Sequence, residues 1–509
     1  MKVVIRTDAS VYIGSGHVMR CLVLAHALKK KGHCVEFVSR PQLGDLVSFI
    51  RTKGFVVHEL RQPLDGLSPA HTADYAAWLQ VSWQEDAQNF LTLLDRADLV
   101  VVDHYGIGQD WEKVIKSELV CGLFVIDDLV RSHCAELLLD QTLSRQIDEY
   151  KNCCPKTVVL AGCNYALIKP DFAHYRERIL DDVKEEGGHN VLITMGGIDQ
   201  PNATLRVLGV FDKQETQRPQ VTVLLGSKAP HYSSVKSFCE RNSSWVTHIE
   251  FVENMAELMS KHSVAIGAPG STSWERACLG IPSIIIPLAE NQHTISENLV
   301  KSEAAICVEL DEIEDKLCSS LEFLLSQRFR YRRANLSLCD GLGTQRVMHE
   351  IEVQFDKERC GQLSVRNALA KDITKVFELQ CKPGIRRYAT NSNTPSWDEH
   401  RDWMEGKLKS NQDYFYILEW CDSVTNIVDV GVVRLDRARK AQYVISIFID
   451  PKYHGKGIAR QALKFIDEIH SNVTIEAIVL IENLASQKLF ESANYDRVKE
   501  DTYIRQPIT

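Results

Sequence analysis

No apolar run in the chain reaches the ~18 residues that a membrane-spanning helix requires. The longest candidates, such as IPSIIIP, are short and bounded by proline, so membrane insertion is not expected. A basic excess is missing too: 59 Lys and Arg face 68 Asp and Glu, for a formal net charge of -9. That balance argues against a nucleic-acid partner held by a broad basic surface. None of the 15 cysteines is spaced as C-x-x-C, which removes zinc-ribbon and thioredoxin-like sites. An odd, scattered set of reduced thiols fits a cytoplasmic protein. The start MKVVIRTD puts Arg6 and Asp8 where a secretory leader needs an apolar core. No histidine–carboxylate cluster has metal-ligand spacing, so no metal is expected. Short-period repeats and low-complexity tracts are absent as well.

What is present is length and alternation. A chain of 509 residues exceeds one ordinary core and predicts two or three domains. Residues 1–165 alternate short apolar runs with helical patterns, as βαβ units do. Strands are expected at 3–6, 35–38, 99–103, 123–126 and 158–160, and a helix over 17–31 closed by Gly32. The polar stretch DDVKEEGGH reads as a linker. A second αβ series fills residues 188–350 with VLITMGG, VTVLLG, HIEFVE, SVAIGAPG, PSIIIPL and ICVEL. Two such halves predict a ligand cleft at the carboxyl ends of their strands. Residues 351–362, IEVQFDKERCGQ, read as a further linker. Residues 363–509 change character: YFYILEW, VDVGVVRLD and YVISIFIDP resemble an antiparallel meander, a third domain of mixed α/β class.

Two loops of the second half suit an anion. In TMGGIDQPN, Gly196 and Gly197 allow backbone amides to approach a charged group ahead of a helix. In GAPGSTSWERACLGIP, Gly270, Ser271 and Thr272 open a helix, and Glu275 in its first turn suits a ribose diol. Each alone is equally a tight connection; together they favour a nucleotide diphosphate.

GAPGSTSWE…GIPSIIIPLAENQ is similar to the nucleotide-sugar-binding end of GT-B enzymes. With IRTDAS…IGSGHVMR and TMGGIDQPN added, residues 1–350 resemble the UDP-2,4-diacetamido-2,4,6-trideoxy-β-L-altropyranose hydrolases of pseudaminic acid biosynthesis. The resemblance implies two Rossmann-like domains in GT-B arrangement acting on a UDP-linked amino sugar. It implies His17 as catalytic base, Asn202 and Glu275 as substrate-binding positions, and Asn291 and Gln292 near the sugar. Asp8 and Tyr105 match cleft positions, though a turn cap and a packed ring fit them equally.

The physics of position 17 agrees with a base. A helix N-terminus disfavours an imidazolium, so His17 is expected to stay neutral near pH 7. Gly14 and Gly16 would leave room for sugar and water beside it. A helix-capping or core histidine is the alternative for this residue type, and a glycosyltransferase is the alternative for the fold.

The densest signal lies in YVISIFIDPKYHGKGIARQALKFIDE. A strand carrying Ile447 and Ile449 runs to Asp450-Pro451. A loop of Lys452, His454, Gly455, Lys456 and Gly457 then opens a helix near Ile458 and Ala459. Successive backbone amides there would meet a pyrophosphate. With the later IENLASQKLFESANY, this region resembles the GNAT acetyltransferases, implying acetyl-CoA as co-substrate and placing Asn483 and Ser486 near its arm. Many members use a tyrosine acid where this chain has Phe490, which cannot donate a proton. Tyr495, Tyr503 or water would then supply it, or the domain binds without catalysing. The segment RRYATNSNTPSWDEHRDWM suits an amino-sugar pocket, although tryptophans such as Trp397 and Trp403 are more often simple core residues.

Overall fold

A computed structural model of the chain describes all residues except 65, 72, 182–189, 215–217, 356–360, 390, 424–425 and 509. Most of the expected linker DDVKEEGGH lies outside the described residues. The chain forms two compact units, Met1–Arg176 with Lys184–Met348, and Glu177–Val183 with His349–Thr509.

The first unit holds two parallel sheets. Strands β1 (Lys2–Thr7), β2 (Cys34–Ser39), β3 (Val56–Glu59), β4 (Leu99–Asp103), β5 (Gly122–Ile126), β6 (Leu137–Asp140) and β7 (Val158–Ala161) lie in the order β3-β2-β1-β4-β5-β6-β7. All five residues of β4, LVVVD, are buried, as expected of a parallel strand covered on both faces. Strands β3 and β6 were not expected, because four-residue runs show too little periodicity to stand out. The helix Gly16–Lys30 presents Val18, Cys21, Leu22, Ala25 and Leu28 to the core. It ends at Lys31, with Gly32 just beyond at φ +85.

The second sheet contains β8 (Asn190–Thr194), β9 (Gln220–Leu224), β10 (Val246–Ile249), β11 (Val264–Gly267), β12 (Ser283–Ile285) and β13 (Ala305–Cys307), ordered β10-β9-β8-β11-β12-β13. These are two Rossmann-like halves. The run HIEFVE pairs only through Ile249; Phe251 beyond it is 65% exposed.

The second unit has one mixed sheet: β14 (Leu363–Asn367), β15 (Tyr414–Ser423), β16 (Asn426–Arg439), β17 (Gln442–Ile449), β18 (Thr474–Ile478), β19 (Asp496–Lys499) and β20 (Thr502–Arg505). The meander from β14 to β17 is antiparallel. Then β17 pairs in parallel with β18, but only from Gln442↔Thr474 to Val444↔Glu476. Beyond Val444, β17 runs on to Ile449 without β18 alongside. The helix Gly343–Phe355 carries the chain across residue 350, so the expected linker 351–362 begins as helix. Ser364 Oγ donates to Glu350 at 3.0 Å, and His349 packs edge-on to Phe465, which ties the end of that helix into this unit. Residues before position 182 join it too: Tyr443 Oη donates to Glu177 at 2.7 Å and Arg437 to Asp181 at 2.7 Å. Among the described residues no helix is long and apolar enough to cross a membrane.

Candidate active sites

Strand order puts the first site where sequence distance could not. In sheet one, β1 lies between β2 and β4, so the connections after β1 and β4 diverge and open a crevice at their carboxyl ends. His17, from the β1 connection, meets Asp103, the last residue of β4: Nδ1 lies 2.6 Å from Asp103 Oδ1. A carboxylate only accepts, so Nδ1–H donates and Nε2 is left as the ring atom able to take a proton. Arg20, one turn along the same helix, donates to both Asp103 oxygens at 2.6 Å. Its Nη2 also sits 3.2 Å from His17 Nδ1, but both are donors, so Asp103 is their shared acceptor. Burial alone would raise the Asp103 carboxyl; Arg20 and His17 outweigh it and hold the group well below the usual carboxylate range.

The sequence reading of His17 relied on the helix terminus and missed Asp103 and Arg20. The signal was there: Arg20 is three residues on, hence on the same helix face, and Asp103 is an acid ending the apolar strand LVVVD. Around the imidazole stand Tyr105, whose ring centroid is 4.7 Å away, and Trp78 at 6.2 Å, both edge-on. Tyr75 adds a third ring, 5.0 Å from Tyr105. Burial pushes the nearby Asp128 carboxyl upward. Tyr105 is thus both packed and part of the His17 pocket wall. Of the two readings of Asp8, the geometry supports the structural one. It is wholly buried and accepts from Arg6, from Ser39 Oγ at 3.1 Å and from the Arg40 amide at 2.7 Å.

Gly14 needs its glycine, with φ +77; at both Gly14 and Gly16 a Cβ would meet open space. Across the unit, a Cβ on Gly197 would lie 3.4 Å from Ser15 Oγ. The IGSGH loop of one half therefore faces the TMGG loop of the other.

That second loop leaves β8, and GAPGST leaves β11, at the point where β8 lies between β9 and β11. Gly196 has φ +87. Asn202 precedes the helix Ala203–Asp212 in a left-handed conformation, without capping it. Asp199 does that instead, accepting from the Ala203 and Thr204 amides at 2.8 and 2.9 Å. Asn202 Oδ1 is buried without a hydrogen-bond partner, so it is open to a ligand's donor. The helix after GAPG spans only Thr272–Cys278; an anion at Gly270, Ser271 and Thr272 would meet loop amides rather than a strong helix dipole. Burial pushes the Glu275 carboxyl up to about 7. Gln292 Oε1 accepts from the Leu288 amide at 2.8 Å; the Asn291 side chain lies outside the described residues.

In the second unit the glycine loop is as open as expected. Gly455 and Gly457 have φ +79 and +78, and a Cβ on either would meet nothing within 4 Å. The helix opens at Ile458 and runs to Ile469. Lys452 lies in the Pro451–Tyr453 turn, and Lys456 sits 5.0 Å from the Tyr453 ring. The free flank of β17 beside Ile447 and Ile449 suits an extended pantetheine arm, although His454 Nε2 already occupies the Ile449 carbonyl at 3.0 Å. Asn483 caps the helix Leu484–Ser492 by accepting from the Ser486 amide at 3.2 Å, which leaves its amide NH₂ for a ligand. These features fit acetyl-CoA. Phe490 is buried against Tyr495 and Tyr503. Tyr495 donates to Asp467 at 3.1 Å and Tyr503 to Glu491 at 3.4 Å, so both hydroxyls are already engaged. Trp397 and Trp403 are 39% and 36% exposed, not core. Asp450 also lines a cavity of about 110 Å³ between the helix Ile373–Gln380 and the sheet.

Residues 362–495 match the family described as Acetyltransferase (GNAT) domain, and residues 190–338 match Glycosyltransferase family 28 C-terminal domain. The chain joins a GT-B-like unit to a GNAT domain. An uncharacterised protein of Methanocaldococcus jannaschii is 23% identical over 512 residues, covering 98% of both chains. The UDP-2,4-diacetamido-2,4,6-trideoxy-beta-L-altropyranose hydrolase of Campylobacter jejuni is 27% identical over 59% of this chain and 97% of its own. A spore coat polysaccharide biosynthesis protein, SpsG, of Bacillus subtilis is 25% identical over 40% of this chain and 60% of its own. Among solved structures, MurG of Acinetobacter baumannii covers 69% of this chain and 99% of its own at TM-score 0.46 and 14% identity.

Proposed function

We propose that the first unit hydrolyses a UDP-linked 2,4-diacetamido-2,4,6-trideoxy sugar to UDP and free sugar, with His17 as general base. The observation that carries this reading is the His17–Asp103 pair, at 2.6 Å, beside a loop that faces the TMGG loop of the other half. Asp103 holds the ring so that Nε2 takes the proton of a water as its oxygen attacks the anomeric carbon. The bond from that carbon to the diphosphate oxygen breaks, UDP leaves with the electron pair, and the anomeric configuration inverts. Loop amides at Gly196, Gly197, Ser271 and Thr272 meet the diphosphate, and Glu275 takes the ribose hydroxyls. Similarity to the Campylobacter hydrolase over nearly its whole length supports the substrate class.

In the same proposal the GNAT domain acetylates the 4-amino group of the UDP-sugar precursor. Acetyl-CoA supplies an activated acyl thioester. The neutral amine forms the new C–N bond as the C–S bond breaks, and the amine's proton ends on the coenzyme thiol. With both nearby tyrosines engaged and Phe490 in the usual acid's place, that proton passes through water. The glycosyltransferase family match over residues 190–338 favours a second reading, transfer of the sugar to an acceptor.

Incubation of the full chain with the UDP-diacetamido sugar in water separates them: hydrolysis releases UDP, whereas a transferase needs an added acceptor. No UDP release, or full turnover by His17→Ala, refutes the hydrolase reading. Mass spectrometry of a one-pot reaction from the 4-amino UDP-sugar and acetyl-CoA tests both steps, and failure to bind acetyl-CoA refutes the acetyl transfer.

A further inference from the structure

One buried cation has no part in the reaction as written. Arg276 is 1% exposed, a burial arginine almost never reaches unless paired. Its Nη2 donates to the Ala268 carbonyl at 3.2 Å and to Ser273 Oγ at 3.0 Å. Ser273 Oγ in turn accepts from the Gly270 amide at 3.2 Å, so the guanidinium braces the whole Ala268–Ser273 turn. Its Nη1 is buried with no hydrogen-bond partner.

The position of that nitrogen is informative. A Cβ on Gly267, the last residue of β11, would lie 2.7 Å from Nη1 and 2.2 Å from the carbonyl oxygen of Thr194, the last residue of β8. The guanidinium thus occupies the root of both glycine loops, and the missing side chain at Gly267 admits it. Nor is its charge well matched. Burial pulls Arg276 down to about 10 and pushes neighbouring Glu275 up to about 7, so both shift toward their neutral forms. A buried charge without a bonded counter-ion costs stability, and such a cost persists where function offsets it.

We propose that Arg276 is a positioning residue for the diphosphate of a nucleoside diphosphate sugar: it shapes the Ala268–Ser273 loop and places an unmatched positive charge beneath both loops. The assignment rests on the nucleotide-sugar reading of this unit. Because Nη1 is buried, Arg276 acts through loop shape and long-range charge rather than by touching phosphate.

The test uses the full chain, with UDP and uridine as calorimetric probes and a melting curve without ligand. Arg276→Met is expected to weaken UDP about 30-fold or more and to leave uridine within about twofold, the melting curve showing that the variant is folded. Arg276→Lys, which keeps the charge, is expected to lose less UDP affinity and again to spare uridine; it serves if the Met variant fails to fold. Unchanged UDP affinity in Arg276→Met, or equal weakening of UDP and uridine in either variant, overturns the assignment. If wild type binds UDP and only this pattern fails, the nucleotide-sugar reading stands without it; a wild type that binds no UDP sinks both.

Discussion

Replacing Asp103 by Asn removes one negative charge from the centre of the first site while keeping the size of the side chain. The amide oxygen can still accept from His17 Nδ1, but the two 2.6 Å bonds from Arg20 cannot both survive. Asp103 is wholly buried and the Arg20 side chain is 10% exposed, so the guanidinium is left with little water to replace its partner. Breaking such a pair costs about 3 kcal/mol, which should lower the urea midpoint of the full chain. UDP release should fall further than stability explains, by about 10²- to 10⁴-fold, the share of rate a general base supplies. The double variant Asp103→Asn with Arg20→Gln separates the effects. It pairs two neutral amides and should recover most of the lost stability, to within about 1 kcal/mol, while hydrolysis stays low because His17 still lacks its carboxylate. A double variant that regained turnover with stability, or an Asp103→Asn enzyme as active as wild type, would refute the dyad.

Glu275, with its carboxyl at about 7, should make uridine binding pH-dependent. The ribose hydroxyls bond the charged form, so affinity should fall below pH 7, by up to about tenfold per pH unit. Glu275→Gln should flatten that profile; a flat wild-type titration counts against the ribose role. Buried His133 is raised to about 9 by Glu112, 2.6 Å from Nδ1, and Asp127, against the lowering effect of burial. Its contribution, about 3 kcal/mol, is fully present below pH 6.5 and lost as pH rises through 9. Urea midpoints at pH 7 and 10 should differ in wild type and much less in His133→Gln; equal losses would refute this. Gly457→Ala meets no steric obstacle but must hold φ +78 at a strain of about 1 kcal/mol. Calorimetry should show acetyl-CoA about tenfold weaker, and unchanged binding would remove the loop from the site.

Much of this protein was legible as sequence because its signals are local. Short apolar runs alternating with helical patterns located most strands of both parallel sheets. Positive-φ positions at Gly14, Gly196, Gly455 and Gly457 reflect a backbone requirement that only glycine meets cheaply. The glycine loops and the histidine at a helix mouth could be placed on strand–turn–helix units without any coordinates. What escaped were elements too short to show a period, such as β3 and β6, and every relation that depends on strand order. His17 and Asp103 are 86 residues apart and meet because β4 pairs with β1. Asp8 and Tyr105 both stand at strand ends in the sequence, and only the tertiary structure buries Asp8 against Arg6, Ser39 and Arg40 and sets Tyr105 edge-on to His17. Arg276 reads as an ordinary helical arginine until the ends of β8 and β11 close over it; burial is a property of the packed fold, and burial is what turns its charge into a constraint.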